Sequence, residues 1–207
     1  MGRPSGTRNP GYADRRERLI EGMIPIVLSP GRPLPSFRQL AESAGVSVPT
    51  LRHYFGDQEG ALRSIFEFWS DRSQPYLDQV ASETDQTFED SLWWSADFLI
   101  KGWRMFGVGR IHATGIELGL GHTTRGPGYL DGLYEPLQQA LEARMRHHMN
   151  QGHLREGEPR VMALCFLSPL LMALLHQDEL GGHACRPLDF NLFLREHIDG
   201  FMRGWGA

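Results

Sequence analysis

The sequence predicts an all-α fold in which a small N-terminal unit of three helices precedes a larger helical unit. Apolar residues recur at spacings of three and four along most of the 207-residue chain, which is the period of an amphipathic helix. Runs in which apolar and polar residues alternate, as in half-buried strands, are scarce. Hydrophobic residues make up 41% of the chain and charged residues 22%, so a packed core is feasible.

The first helix is predicted over residues 14–28, because apolar side chains at helical spacing fall on one face. Those side chains are Leu19, Ile20, Met23, Ile24 and Val27. Pro25 lies within this range and is expected to kink the helix, since proline removes a backbone donor and crowds the preceding turn. Residues 1–13 precede the helix and are predicted to form a flexible arm.

Two short helices are predicted next, on either side of a tight turn at Gly45. Ser36 and Gln39 have the spacing of a capping box, which starts the second helix. Gly45 suits the left-handed conformation that ends a helix. Ser47 can cap the third helix, with Pro49 in its first turn, where a missing N–H costs little.

The closeness of these two helices is typical of a helix-turn-helix motif. Ala41 is small enough to let them cross closely, while Val46 and Leu51 fix the crossing angle. Their inner faces are predicted to comprise Phe37, Leu40, Ala41 and Ala44, then Val48, Leu51 and Phe55. The second helix of such a motif is short because it must fit a DNA major groove. An ordinary helical hairpin within a bundle is the alternative reading of the same spacing.

The larger unit is predicted to hold the remaining helices. Asp57 can cap a fourth helix that runs through Trp69 and ends before or near Gln79. Further helices are predicted over residues 88–105, 109–120, 129–150, 159–180 and 190–205. Gly152 and Gly181 are expected to end helices, and a Gly- and Thr-rich loop is predicted over residues 121–128.

The sequence also predicts a cytosolic location and a partner for the front of the chain. Its longest apolar run, residues 161–175, is shorter than the roughly 20 residues that span a bilayer, and no secretion signal is recognisable. The net charge of −4 hides an asymmetry. Residues 1–63 carry nine arginines against six acidic residues, whereas residues 64–207 carry twelve basic residues against nineteen acidic ones. A basic front end on an acidic body indicates that the front end meets an anion.

The segment "FRQLAESAGVSVPTLRHYFGDQEGAL" resembles the DNA-binding signature of the TetR family of bacterial transcriptional regulators. The specific match covers about residues 19–66, and the remainder is similar in the number and order of its helices. The segments "PRVMALCFLSPLLMALLHQ" and "DFNLFLREHIDGFMRGW" resemble the last two helices, through which such proteins dimerise. The resemblance therefore implies a homodimer through residues 159–180 and 190–205.

The resemblance also implies a set of DNA-binding residues. They are Ser36, Ser47, Val48, Pro49, Thr50, Arg52, His53, Tyr54 and Gln58. Two of them depart from the family pattern, which usually has tyrosine at Arg52 and lysine at Gln58. Arginine can bind guanine through two hydrogen bonds, so the first departure is expected to change base preference. The second removes a phosphate contact, although the helix N-terminus itself still favours an anion.

The N-terminal arm and the aromatic-rich body carry two further expectations. Arg3 and Arg8 lie among Gly and Pro, as in arms that enter the DNA minor groove, and a tail that binds nothing specific is the alternative. Mainly from the resemblance, a cavity between the middle helices is expected to bind a small apolar or aromatic effector. Its predicted lining is Trp94, Phe98, Trp103, Phe106, His112, Glu117, Tyr129, Phe166, Met172 and His176. For any one of these, a place in the core or on the surface is the alternative.

No cofactor, metal or catalytic site is predicted. His147 and His148 are neighbours on a helix and point apart, so they cannot easily chelate one ion; they are predicted to lie on a polar helix end. Cys165 is predicted to be inert core. A phosphate-binding glycine loop, a nucleophile elbow and a paired cysteine motif are all missing from the sequence.

Together these features predict a homodimeric, ligand-responsive regulator of transcription, most simply a repressor. Two recognition helices would enter successive major grooves of a palindromic operator, roughly one helical turn, about 34 Å, apart. The ligand would tilt the fourth helix and change that spacing. An all-helical enzyme or small-molecule binding protein with a helix-turn-helix as scaffold is one alternative, and an activator of the same fold is another.

Overall fold

The computed structural model describes residues 10–29 and 33–207, and these residues form eleven α-helices. The helices are α1 (Pro10–Val27), α2 (Phe37–Ser43), α3 (Val48–Phe55), α4 (Gln58–Ala81), α5 (Phe88–Met105), α6 (Val108–Gly119), α7 (Arg125–Tyr129), α8 (Glu135–Asn150), α9 (Pro159–Leu174), α10 (Gly182–Cys185) and α11 (Phe190–Trp205). Two π-helical turns, Leu130–Tyr134 and Leu175–Glu179, follow α7 and α9 directly. No strand occurs in the described residues, which confirms the predicted all-α class.

The head, which comprises α1 to α3 and residues 58–68 of α4, has its own apolar core. Its buried side chains are Leu19, Ile20, Met23, Val27, Leu40, Ala41, Leu51, Phe55, Ala61, Leu62, Ile65 and Phe68. Helices α1 and α2 approach closely at Gly22, where an added Cβ would lie 2.9 Å from the Ala44 Cα. The Ser43 hydroxyl donates a hydrogen bond of 2.6 Å to the Gly22 carbonyl at the same contact.

The predicted caps of the head are confirmed. Ser36 and Gln39 form the capping box, and the Ser36 N–H donates to Gln39 Oε1 at 2.9 Å. Gly45 has a φ of +68°, as its place at the end of α2 requires. The Ser47 hydroxyl accepts from the Thr50 N–H, and Asp57 caps α4 in the same way. Local polar groups therefore define where each of these short helices begins.

The body, residues 69–207, is built around α8, which packs against both α4 and α9. Its fully buried side chains include Leu92, Leu141, Met145, Met162, Phe166 and Ile198. Arg144 of α8 is buried and donates hydrogen bonds to the carbonyls of Gln79 and Val80 and to the Ser91 hydroxyl. This side chain thereby satisfies the last carbonyls of α4, which have no partner within their own helix.

The structure moves several predicted boundaries. Helix α1 begins at Pro10, four residues earlier than predicted, and α4 continues to Ala81. The prediction of a loop over residues 121–128 is wrong in its second half, because α7 begins at Arg125. A side-chain contact explains it: Arg125 pairs with Glu59 of α4. By contrast, the predicted ranges of α5 and α11 coincide with those observed.

The apolar stretch near the C-terminus is longer than the prediction allowed. Helix α9 and its π-turn, Pro159–Glu179, form one segment of 21 residues. It contains an 18-residue window with a mean hydropathy of 1.6, so by length and composition alone it could cross a membrane. Half of this window is buried inside the protein, as is usual for a core helix of a soluble protein.

Candidate functional site

Helix α3 is anchored in the head on one face and presents polar side chains on the other. Leu51 is fully buried and Phe55 is nearly so, both within the head core. Arg52 and His53 are exposed, because they occupy helical positions that point away from that core. The solvent-facing surface of α3 is therefore polar and carries the Arg52 charge.

The side chains that begin α2 and α3 are engaged with their own helix ends and remain at the surface. The Ser36 hydroxyl lies 2.9 Å from Gln39 Oε1, and the hydroxyl oxygens of Ser47 and Thr50 are 2.9 Å apart. Pro49 is exposed in the first turn of α3. The first residue of α3, Val48, is half-buried and packs against the head core.

The two departures from the family pattern have different surroundings. The Arg52 guanidinium lies 5.6 Å from the centre of the Phe37 ring, which is a cation–π contact that leaves its N–H groups free to donate. The Gln58 amide instead donates a hydrogen bond of 2.7 Å to the Pro35 carbonyl. Gln58 therefore ties the start of α4 to the residues before α2.

Sequence reasoning missed Tyr12, which lies in the first turn of α1. Its ring stacks on Tyr54 of α3, with ring centres 4.7 Å apart and an angle of 22° between the planes. Tyr12 falls four and seven residues before Arg16 and Leu19, so it continues the inward face of α1. Extending that periodicity backwards would have found it. Arg3 and Arg8 lie outside the described residues.

A second group of predicted residues meets in the body between α5, α6 and α7. His112 Nδ1 and the Tyr129 hydroxyl are 2.9 Å apart and share a hydrogen bond, and the Trp103 and His112 rings stack with centres 5.7 Å apart. All three side chains are buried. Burial lowers the pKa of His112 to about 4. Burial, which is the larger cause, and the nearby Tyr134 both raise the pKa of Tyr129. His112 and Tyr129 are therefore both neutral near pH 7.

This cluster is closely packed. A Cβ at Gly109 would overlap the Trp103 indole, and one at Gly115 would overlap the Tyr129 ring. Trp103 Nε1 and Thr114 Oγ1 are both buried, and neither finds a hydrogen-bond partner within the described residues. Protein side chains therefore fill the centre of the expected cavity, and the Trp103 N–H is left unsatisfied there.

The other predicted lining residues do not join this cluster. Trp94 stacks on Phe98 with ring centres 5.3 Å apart, and Phe166 lies in the core beside Phe201. His176 is half-buried and contacts the Gln177 amide. Three more lie at the surface: Phe106 (66% exposed), Met172 (58% exposed) and Glu117. Phe106 follows the last residue of α5, and the exposure of Met172 and Glu117 places them on faces of α9 and α6 that the described residues do not cover.

Two arginines of the body reach the head directly. Arg110 of α6 donates 3.1 Å from Nε to the Leu28 carbonyl at the end of α1, and its Nη1 pairs with Glu179 at 3.0 Å. Arg125 of α7 pairs with Glu59 in the first turn of α4 at 2.7 Å. A displacement of α6 or α7 would therefore change contacts at both ends of the head. No local pattern in the sequence predicts these pairs, because their members lie far apart in the chain.

The histidines and cysteines differ from expectation. The prediction that His148 lies on a polar helix end is wrong, because its ring is buried beside Phe88, and Nδ1 lies 3.1 Å from His153 Nδ1. Burial, which is the larger cause, and neighbouring charge together lower the pKa of His148 to about 4. The prediction that Cys165 is core is also wrong, since α9 turns it outward. Nowhere in residues 10–29 and 33–207 do three His, Cys, Asp or Glu side chains meet as a metal site would require.

Solved structures of transcriptional regulators are similar to the whole chain. A putative TetR-family regulator from Mesorhizobium loti is 15% identical, and the match covers 98% of this chain and 100% of that chain with a TM-score of 0.75. FadR from Bacillus subtilis in complex with stearoyl-CoA is 13% identical, and the match covers 91% of this chain and 98% of that chain with a TM-score of 0.68. The regulator in the SmeT–triclosan complex is 16% identical, and the match covers 94% of this chain and 92% of that chain with a TM-score of 0.63. Neither a protein-family model nor a curated protein matches the sequence. The chain therefore has the fold of TetR-family regulators.

Proposed function

We propose that the chain is a sequence-specific DNA-binding regulator of transcription, a cytoplasmic homodimeric repressor that a small ligand releases from its operator. The proposal rests on helix α3, which is short and capped and is anchored in the head by Leu51. Arg52 and His53 of this helix are exposed to solvent. In this proposal residues 14–56 bind DNA, and residues 57–207 bind the ligand and the second copy. Residues 10–13, which form the first turn of α1, then support the head.

Binding selection on random DNA, followed by sequencing, tests the DNA-binding role. The full chain should enrich a near-palindromic site, because a two-fold dimer presents two equivalent heads. Arg52→Ala and His53→Ala should each weaken binding to that site, as a lost base contact costs about 1–3 kcal/mol. Arg146→Ala is the matched control, since Arg146 is exposed on the body and pairs with Glu142. Enrichment of no sequence would favour the scaffold alternative.

The dimer surface is proposed on α9, where large apolar side chains form an exposed stripe. Val161, Leu164 and Met172 are 46%, 44% and 58% exposed, and their spacing places them on one face of the helix. A stripe of this kind needs a partner, and a two-fold axis lets two copies cover each other. Helix α11 stays in the proposal through Leu192, which is 50% exposed, whereas Ile198 and Phe201 lie in the core.

Sedimentation at micromolar concentration tests the dimer. Leu164→Glu should produce monomers and abolish operator binding, although Leu164 touches no DNA in this proposal. Leu120→Glu is the matched control, because Leu120 is 77% exposed and lies outside the stripe. Phe201→Glu is unsuitable, since it would place a charge in the core. A monomeric parent protein would contradict the proposal.

The ligand site is proposed at the cluster of Trp103, His112 and Tyr129. Its groups are aromatic and neutral, and the unpartnered Trp103 N–H offers a hydrogen bond, so a neutral apolar or aromatic molecule with an acceptor suits it. Because the cluster is closely packed, such a ligand must separate α6 from α7. That movement would reach the head through Arg110 and Arg125.

Triclosan, which is bound to a structurally similar regulator, is the first probe for this site, and stearoyl-CoA, whose CoA group is charged, is the contrasting probe. A true effector should raise the melting temperature and release DNA, because a ligand shifts an equilibrium only by its differential affinity. Trp103→Leu should remove both effects. Arg110→Met should keep the melting shift and weaken the release. A compound that acts equally on the Trp103→Leu variant binds elsewhere.

A further inference from the structure

The first turn of α1 reaches the recognition surface through one aromatic cluster. Tyr12 stacks on Tyr54 with ring centres 4.7 Å apart, and it meets His53 edge-on at 6.1 Å. His53 and Tyr54 meet each other edge-on at 5.3 Å. Three rings from two helices are therefore in mutual contact beside the polar face of α3.

The positions of His53 and Tyr54 at the end of a short helix explain why a contact from another helix helps to hold them. His53 and Tyr54 lie in the last turn of α3, which has eight residues, ends at Phe55 and is followed by Gly56 with a φ of +78°. The last turn of a short helix is prone to fray. Tyr12 gives Tyr54 a contact from a different helix, and α1 is fixed by its buried face, including Leu19.

We propose that Tyr12 is a positioning residue for DNA binding, which holds the Tyr54 and His53 rings in the orientation in which they meet DNA. The inference rests on the DNA-binding role proposed above. Side-chain freedom that is already restricted in the free protein is not lost again on binding, so preorganised rings bind more tightly. Tyr12 acts through Tyr54 and does not itself touch DNA.

The surroundings of Tyr12 separate this role from a purely structural one. Tyr12 is half-buried and lies outside the buried core of the head. With Tyr54 it lines an open groove of about 730 Å³ between α1 and α4. Arg16, one turn along the same face, is already engaged by the Ser64 hydroxyl at 2.7 Å. Replacing Tyr12 should therefore leave the head folded.

Operator affinity of full-length variants tests the inference, with the DNA taken from the selection experiment. Tyr12→Leu, which keeps apolar contact and removes the stack, should weaken binding about two- to tenfold, the range expected from one aromatic pair. Tyr12→Phe keeps the stack and should bind like the parent protein. Tyr76→Ala is the control, because Tyr76 is an exposed tyrosine of α4 outside the head. The melting temperatures of all three variants should match the parent's.

A double-mutant cycle with Tyr54→Ala separates positioning from direct contact. If Tyr12 acts through Tyr54, Tyr12→Leu should cause no further loss in the Tyr54→Ala protein. Unchanged binding by Tyr12→Leu, an equal loss in Tyr12→Phe, or additive losses in the cycle would each overturn the inference. A parent protein that binds no DNA would instead overturn the DNA-binding role itself.

Discussion

The head and the body contain contrasting examples of how a helix end is completed, although α5 and α11 of the body are also capped locally, by Thr87 and Asp189. In the head, side chains three residues from their partners complete the helix ends, as Ser36, Ser47 and Asp57 do. In the body, Arg144 completes the end of α4 from 64 and 65 residues away, through its hydrogen bonds to the Val80 and Gln79 carbonyls. Among the described residues, the buried polar side-chain atoms without a partner belong to Trp69, Trp103, Thr114, Gln138 and His148, and α1 to α3 contain none of them.

This difference matches the roles proposed for the two regions. A head in which local side chains cap the starts of α2, α3 and α4 can keep one shape while it meets DNA. Buried polar groups without a hydrogen-bond partner cost free energy. A ligand or a rearrangement that supplied partners would therefore stabilise the body. The comparison makes four predictions, given from the largest expected effect to the smallest.

Acid should destabilise the body far more than the head. The folded-state pKa values of His112 and His148 are about 4, below the ordinary value of 6.5. Between pH 4 and pH 6.5 the unfolded chain therefore binds more protons than the folded chain. The free energy of unfolding is therefore highest above pH 6.5 and falls as the pH drops towards 4, by up to about 3 kcal/mol for each histidine.

Urea unfolding at a series of pH values measures this slope. His112→Gln retains a group that can hydrogen-bond to Tyr129 but does not titrate, so it should remove the His112 share of the slope. The slope due to His148 should remain. An identical slope in parent and variant would show that His112 is not held neutral.

Loss of Arg144 should destabilise the body by about 3 kcal/mol. Arg144→Leu leaves the Val80 carbonyl without its side-chain donor and leaves the Gln79 carbonyl with only the Ser82 hydroxyl. Arg146→Leu, two residues away on the same helix, removes only an exposed pair with Glu142 and should cost about 0.5 kcal/mol or less. Chemical denaturation compares the two variants, and equal losses would contradict the distinction.

Gly115→Ala should destabilise the protein by about 1–3 kcal/mol, because the added methyl group overlaps the Tyr129 ring. Gly102→Ala in α5 is the matched control. Nothing lies within 4 Å of its added Cβ, so the higher helix propensity of alanine should stabilise it by up to about 1 kcal/mol. Opposite shifts in melting temperature are expected. A neutral Gly115→Ala would mean that the cluster already has room for a ligand.

Ser47→Ala should cost about 1 kcal/mol, the usual value of a lost N-terminal cap. The loss should appear as greater hydrogen exchange in α3, with little change in the body, because the cap is local. Ser82→Ala is a control, since the Ser82 hydroxyl lies at the end of α4 and donates to the Gln79 carbonyl. Equal exchange in α3 of both variants would contradict a locally specified head.

The sequence by itself determined the features that depend on neighbours in the chain. A cap bonds to a residue three positions on, and an amphipathic helix repeats at 3.6 residues, so the caps of α2 to α4 and the ranges of α5 and α11 could be predicted. The outward positions of Arg52 and His53 followed from the same period. Each of these features requires only local geometry.

Only the tertiary structure decided which of several apolar faces is covered, and by what. Phe166 became core while Met172 and Cys165 turned to the surface, although all three lie on the uniformly apolar α9. His148 was drawn into the core, and Tyr12 extended α1 by stacking on a helix some 40 residues away in the chain. Burial and stacking depend on chain segments that are distant in sequence, and periodicity contains no information about which of them meet.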